Sequence, residues 1–175
     1  MCSSDLGLID KGVGKLISTG KVSKLIASHI GLNPEAGKRM GDGSMEIVLV
    51  PQGTLVEQIR SAGAGLGGFL TPTGLGTIVQ EGKEVIEVDE SKYILEKPLK
   101  ADVALILGHV VDQKGNTVYR KTTRNFNPVM ATAADKVFVE ARNIVKIGQL
   151  DSDVIVTPHI FVDYIIKPTI NKSSE

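Results

Sequence analysis

Thr54-Leu55-Val56-Glu57-Gln58-Ile59-Arg60, followed by Gly63-Ala64-Gly65-Leu66-Gly67-Gly68 and then Phe69-Leu70-Thr71-Pro72-Thr73-Gly74, is the stretch on which the reading of this chain turns. The glycines fit G-x-G-x-x-G, a pattern that marks a dinucleotide site when it joins a strand to a following helix. Here the flanks are reversed. The residues before it read as a helix, with Thr54 and Glu57 at capping-box spacing and Leu55, Val56 and Ile59 on a shared face. The residues after it cannot readily continue as a helix, because Pro72 lacks a donor and disfavours helical geometry at Thr71. The segment therefore reads as a helix entering a glycine-rich loop, which argues against a nicotinamide- or flavin-dependent oxidoreductase. From Gly63 to Gly76 the loop holds six glycines. Such a loop either lets the backbone approach a ligand or another chain, or packs on itself as an Ω-type loop.

The 175 residues suffice for one domain with a real core. Lysine plus arginine and aspartate plus glutamate balance at 20 each, with no long basic run, so nucleic acid is a poor candidate partner. The lone Cys2 forms no internal disulfide, and no apolar run is long enough to cross a bilayer. These features describe a soluble, cytoplasmic protein with no membrane partner. His29, His109 and His159 are scattered, no metal-ligand spacing occurs, and no nucleophilic triad can be built. Glu81, Glu84, Glu87, Asp89 and Glu90 read as a solvated hairpin face.

Along the chain, Val22 to Ser28, Glu46 to Val50 and Asp102 to Leu107 read as buried strands, the second covered on both faces. Asn33 caps a helix from Pro34 to Met40. Glu84 to Val88 and Tyr93 to Glu96 form a hairpin, and Lys114-Gly115-Asn116 turns the chain into Thr117 to Arg120. Asn127 caps a helix from Pro128 to Ala134. Val137 to Glu140, Val154 to Val156 and Phe161 to Ile166 are the last strands, before a polar tail over 167–175. This order predicts an α/β class built on a mixed sheet, as a single domain. Pro51-Gln52-Gly53-Thr54 lies where a strand ends and a helix begins, the edge at which open α/β sheets bind ligands. Gln52 can donate and accept through its amide, or simply satisfy loop backbone. Arg124 and Asn125 could meet an anion, a partner subunit or this chain's own acids.

Ile26-Ala27-Ser28-His29-Ile30-Gly31, Leu49-Val50-Pro51-Gln52-Gly53-Thr54-Leu55, the glycine run through Gly74, and Arg124-Asn125-Phe126-Asn127-Pro128, in this order, resemble the alpha subunit of family I 3-oxoacid CoA-transferases. The acetate/acetoacetate enzymes of short-chain fatty acid metabolism are nearest in character. The resemblance implies the three-layer α/β/α fold shared with ribose-5-phosphate isomerase and glucosamine-6-phosphate deaminase. It implies a transferase moving CoA between an acyl-CoA and a short-chain carboxylic or 3-oxo acid through a glutamyl-CoA thioester. In the family that glutamate sits in a Ser-Glu-Asn-Gly motif of the beta subunit, and this sequence has no such motif. The chain is thus expected to hold no catalytic nucleophile, no metal and no permanent cofactor, with CoA as substrate, and to work with a beta subunit in an α2β2-type heteromer. By the same resemblance Gln52, Gly53, Gly65, Gly67, Gly68 and Phe69 line the substrate cleft. Residues 1–6 match nothing in the family, whose first strand, helix and Gly-Gly-Phe loop are missing here, so an N-terminally truncated chain is expected. A non-catalytic partner, scaffold or inactive fragment of the family is the alternative.

Overall fold

The computed structural model describes residues 2–3, 9, 12–31 and 33–168. The other residues of the unmatched start, and tail residues 169–175, lie outside that set. The chain divides into two compact units, Met1–Glu57 with Phe69–Glu96, and Gln58–Gly68 with Lys97–Glu175.

The first unit is built on a parallel sheet of β1 (Cys2–Ser3), β2 (Lys24–Ala27) and β3 (Glu46–Leu49), in that order, with α1 (Gly14–Ser18) and α2 (Pro34–Gly41) between strands. A strand at Cys2–Ser3 is not expected from the sequence. Asn33 caps α2 as predicted, its side chain accepting from the Ala36 N–H at 3.1 Å. Ile17 of α1 and Ala36 of α2 pack with Leu25 and Ala27 of β2, all fully buried. Burying Ile17 and Leu25 contributes about 1.5–3 kcal/mol each. The double-sided burial expected of β3 is not found. It is the edge strand of this sheet, Ile47 and Val48 are half-buried, and Leu49 is 51% exposed.

After β3 comes α3 (Gln52–Gly63), then an antiparallel sheet of β4 (Phe69–Thr71), β5 (Val85–Val88) and β6 (Ser91–Glu96), ordered β4-β6-β5 around the buried Ile94. The predicted hairpin is present. Asp89 and Glu90 have φ of 47° and 62°, the left-handed pair that a two-residue turn between twisted strands requires. All five acids of the predicted solvated face are exposed. Inside this sheet Glu96 is only 2% exposed, and it receives the Lys83 ammonium at 2.6 Å.

The second unit is a mixed sheet of β7 (Ala101–Asp112), β8 (Thr117–Val118), β9 (Ala134–Val145) and β10 (Tyr164–Ile166), ordered β10-β9-β7-β8, with α4 (Asn127–Thr132) crossing between β8 and β9. β7, β9 and β10 run parallel and β8 antiparallel. Ile106, Val111, Val137, Val139 and Tyr119 form its core with Ala131 of α4. β7 is buried on one face only: Ala104 and Ile106 point inward, whereas Val103 and Leu105 are exposed.

The α/β class is therefore as predicted, with the strands shared among three sheets rather than one. Further local expectations fail, among them the strand from Phe161, where His159–Phe161 is a 3-10 turn and the strand is confined to Tyr164–Ile166. Val154 lies in a 3-10 turn, not a strand, because the Asp151 carboxylate accepts the Asp153 N–H at 3.0 Å and closes a turn. Asn127 does not cap its helix. Its amide instead accepts from the Leu107 N–H at 3.0 Å and donates to the Thr123 carbonyl at 2.8 Å, pinning the loop before α4 to β7.

Candidate functional site

Val50 is buried and ends the β3 segment, after which the chain turns at Pro51 into α3. The helix starts earlier than the capping-box spacing predicts. The Leu55 N–H already bonds the Pro51 carbonyl at 2.9 Å, so Thr54 lies buried inside the first turn and is not its cap. The capping reading rests on spacing alone, and the proline two residues before Gly53 sets the start instead. Gln52 thus opens the helix with its side chain exposed, beyond the carboxyl end of a parallel strand.

At the other end α3 closes on a Schellman arrangement. The Leu66 N–H bonds the Ser61 carbonyl at 2.9 Å and the Gly65 N–H bonds that of Ala62 at 3.1 Å. Gly65, at φ 69°, is the left-handed residue this ending needs. Gly63 answers to packing, since a Cβ there would meet Thr132 Oγ1 of α4 at 2.0 Å. The glycine run is flanked by a helix before and a strand after, the reverse of a dinucleotide fingerprint. Gly68 has φ 153°, and Phe69 is half-buried as the first residue of β4. Gly53 and Gly67 differ from Gly63 and Gly65. Both have ordinary φ, and nothing lies within 4 Å of a Cβ built on either. This chain's own packing does not require glycine at those two positions.

Among the described residues, depressions also occur elsewhere. The first is a shallow one of about 550 Å³, bordered by Gly76, Gln80, Glu87 and Lys92. The second, a cleft of about 200 Å³ in the second unit, is lined by Leu107, His109, Arg120, Lys121, Thr122, Thr123 and Arg142. Register builds it: Gly108 pairs with Ala141 and Val110 with Asn143, which sets His109 of β7 beside Arg142 of β9. The segment after β8 adds Arg120 and Lys121. Its tight shape comes from Thr123, whose hydroxyl accepts the Arg120 N–H at 3.1 Å and donates to the Arg120 carbonyl at 2.7 Å. Lys121 sits at φ 56°, a conformation unfavourable by about 1–2 kcal/mol for a residue with a Cβ. The sequence signal for this cleft is Arg120, Lys121 and Arg124 within five residues, but Arg142 is distant in the chain and no spacing reveals it.

Arg124 and Asn125 are exposed beside this segment. His29 Nδ1 lies 3.1 Å from the Ser28 hydroxyl, and the His159 N–H donates to Asn116 Oδ1 at 2.9 Å, the ordinary hydrogen bonding expected of these residues. Among the described residues no cluster of histidine, cysteine and carboxylates could hold a metal, and no helix is long and apolar enough to cross a membrane. Asp112 forms the other organised polar centre. Burial pushes its carboxyl up, but hydrogen bonds from Asn116, Lys114 and Gly115 outweigh that and hold it below the usual carboxylate range.

The family described as Coenzyme A transferase matches residues 1–168, a span that includes the first six residues. The chain belongs to the coenzyme A transferase family. This transferase chain is 54% identical over 166 residues to the acetate CoA-transferase subunit alpha of Escherichia coli K12, covering 95% of this chain and 76% of that protein. It is 52% identical over 165 residues to the acetoacetyl-CoA:acetate/butyrate CoA transferase alpha subunit of Clostridium acetobutylicum, covering 94% and 76%. The chain therefore spans about three-quarters of the length of these relatives, which are themselves alpha subunits. In fold, it superposes on the acyl-CoA transferase YdiF of Escherichia coli O157:H7 with a TM-score of 0.81 at 22% identity, covering 91% of this chain but only 35% of that one. Glutaconate coenzyme A-transferase of Acidaminococcus fermentans gives 0.74 at 18% identity, covering 86% and 56%. The expected family, α/β fold and alpha-subunit character are thereby established for this transferase chain.

Proposed function

We propose that this chain is the alpha half of a heteromeric CoA-transferase that exchanges CoA between an acyl-CoA and a short-chain acid such as acetate or acetoacetate, in the cytoplasm. The carrying observation is the likeness, over 94–95% of this chain and 76% of each relative, to alpha subunits whose names specify acetate, acetoacetyl-CoA and butyrate. In this reading the nucleophilic glutamate comes from the beta subunit. Its carboxylate attacks the acyl-CoA carbonyl and expels the CoA thiolate, giving an acyl-glutamyl anhydride. The thiolate then attacks the glutamyl carbonyl, releasing the donor acid and leaving a glutamyl-CoA thioester, from which the acceptor acid takes CoA by the same steps in reverse. CoA is a substrate and not a resident cofactor.

Gln52 is the residue of this chain that we assign to the substrate. Its exposed amide at the start of α3 can donate to a substrate carboxylate or to the developing thioester oxygen. Support for Gly53 and Gly67 as lining residues comes from the open space where their Cβ atoms would stand, which leaves room for a ligand or a second chain. The family likeness also nominates Gly65, Gly68 and Phe69 as substrate-binding residues.

The beta subunit also explains an apolar sheet face. Leu105, Phe138 and Tyr164 stand in register across β7, β9 and β10, and the Phe138 and Tyr164 rings stack with centroids 4.5 Å apart. Leu105 is 56% and Tyr164 50% exposed, with Val103 and Ile166 exposed beside them. A contiguous apolar face of this kind marks an interaction surface, and we assign it to the partner subunit.

Co-expression with a beta subunit and an acyl-CoA exchange assay tests the reading. Exchange is expected for the wild-type pair, and Gln52→Ala should lower kcat by about 10²-fold, the order of effect of one lost oxyanion donor. A stable heteromer without exchange would overturn the catalytic assignment.

A further inference from the structure

We propose that the cleft formed by His109, Arg120, Lys121, Thr122 and Arg142 is a phosphoryl-binding site. Three side chains that are cationic at neutral pH line a single small depression, and no carboxylate lines it. The chain as a whole is charge-balanced, at 20 basic and 20 acidic residues, so this concentration is local. Five other basic residues meet acids at short range, in Lys24–Glu46, Arg39–Glu35, Lys83–Glu96, Lys100–Asp135 and Lys136–Asp163. Among the described residues no ion pair engages Arg120, Lys121 or Arg142. Glu140, two residues before Arg142 on the same face of β9, neither lines the cleft nor pairs with it.

Three unneutralised cations in one cleft repel one another, and a dianion relieves that repulsion better than a single carboxylate. Two guanidinium forks can each give paired N–H bonds to phosphate oxygens, and the Lys121 ammonium adds a point charge. The Thr122 hydroxyl and the His109 ring supply further donors. Size limits the ligand as well. The cleft of about 200 Å³ is below the about 300–1,000 Å³ of sites that enclose whole small molecules. It suits one phosphoryl group with the rest of the molecule outside. Two sources share that chemistry, the phosphates of CoA and free inorganic phosphate. The CoA source rests on the transferase reading above, whereas the phosphoryl site itself does not.

The test is isothermal titration of the full chain at low salt with CoA, with dephospho-CoA, which lacks the 3′-phosphate, and with inorganic phosphate. The comparison is the double variant Arg120→Gln, Arg142→Gln. Both side chains are exposed, so folding is not at stake. At least tenfold weaker CoA binding in the variant, with dephospho-CoA unaffected, identifies the 3′-phosphate as occupant. Equal weakening of both identifies the pyrophosphate. Weakening for inorganic phosphate alone identifies the free anion. If CoA and phosphate affinities both stay within twofold, or if the wild-type chain binds none of the three probes, the proposal is overturned. CoA binding that ignores the variant, with phosphate binding equally unmoved, sinks the cleft and leaves the transferase reading standing. Phosphate binding lost in the variant, with no CoA binding at all, identifies the free anion as occupant and leaves the transferase reading to the exchange assay on the heteromer.

Discussion

Replacing Asp112 by asparagine should cost about 2–4 kcal/mol although the side chain keeps its shape. Asp112 ends β7 and is 3% exposed. One carboxylate oxygen accepts the backbone N–H groups of Lys114, Gly115 and Asn116 at 2.9, 2.9 and 3.0 Å, and the other accepts the Asn116 amide at 2.7 Å. The substituted amide could still accept the three backbone donors, but its nitrogen would face the Asn116 Nδ2 donor. Asn116 cannot flip to help, because its own oxygen already receives the His159 N–H at 2.9 Å. A bond to a charged group is worth about 1.5–3 kcal/mol and a neutral one about 1. Weakening three and losing one totals roughly 5 kcal/mol, of which the relief of burying a charge returns about 2. With a urea slope of about 1–3 kcal/mol/M, the unfolding midpoint falls by about 1–2 M. The folded carboxyl lies below its usual range, so its ionisation stabilises the fold above the unfolded pKa of about 3.9 and that benefit fades as pH falls through the folded value. The gap between the two proteins should be flat from about pH 5 to 8 and shrink below about pH 4. Equal midpoints at pH 7, or a gap unchanged at about pH 3, would refute the reasoning.

Other substitutions probe the rest of the frame. Ser61 is fully buried in α3 with no partner for its hydroxyl, so Ser61→Ala should raise stability by about 1 kcal/mol in a denaturant titration; a loss would mean that the hydroxyl is bonded. Lys83→Met strips the ammonium from the buried Glu96, and since Lys83 is 30% exposed the cost should sit at about 2–3 kcal/mol, the low end for a broken buried pair. Leu105→Lys on the outer face of β7 should leave the stability of the isolated chain within about 0.5 kcal/mol yet abolish co-purification with a beta subunit; unchanged co-purification would move the interface elsewhere.

Features encoded within a few residues were legible. Asn33-Pro34 announced α2, Asp89-Glu90 announced its hairpin, and Pro72 ruled out a second helix after the glycines. The failures share a cause, which is a long-range partner displacing a local one or a layer that the local pattern cannot see. Asn127 has the identity and spacing of a cap, but a strand N–H twenty residues away offers its amide a better-placed bond. The apolar runs at Glu46 to Val50 and Asp102 to Leu107 read as buried strands, but hydropathy cannot report whether a covering layer exists, and Leu49 and Leu105 are open. The cationic cleft escaped for a related reason: Arg120 and Arg142 meet only through the β7–β9 register, which no motif encodes.

The glycine run separates the two kinds of information most clearly. One six-residue pattern contains a residue demanded by packing against α4, Gly63, and a residue demanded by the helix ending, Gly65. It also contains Gly67, which, like Gly53 at the far end of α3, answers to neither demand. A glycine that the fold does not need still costs about 0.5–1 kcal/mol of backbone entropy relative to alanine. Gly31, Gly37 and Gly41 answer to neither demand either, so open space alone does not mark a contact. For Gly53 and Gly67 we attribute the cost to something outside this chain that comes closer than a methyl group allows. Gly53→Ala and Gly67→Ala should therefore leave the chain as stable as before, or slightly more so, while weakening whatever approaches there. Gly63→Ala should destabilise the chain outright. Thermal unfolding of the three variants, set beside exchange activity in the heteromer, separates the cases. Destabilisation by Gly53→Ala or Gly67→Ala to the extent seen for Gly63→Ala would show that all of these glycines serve the fold alone.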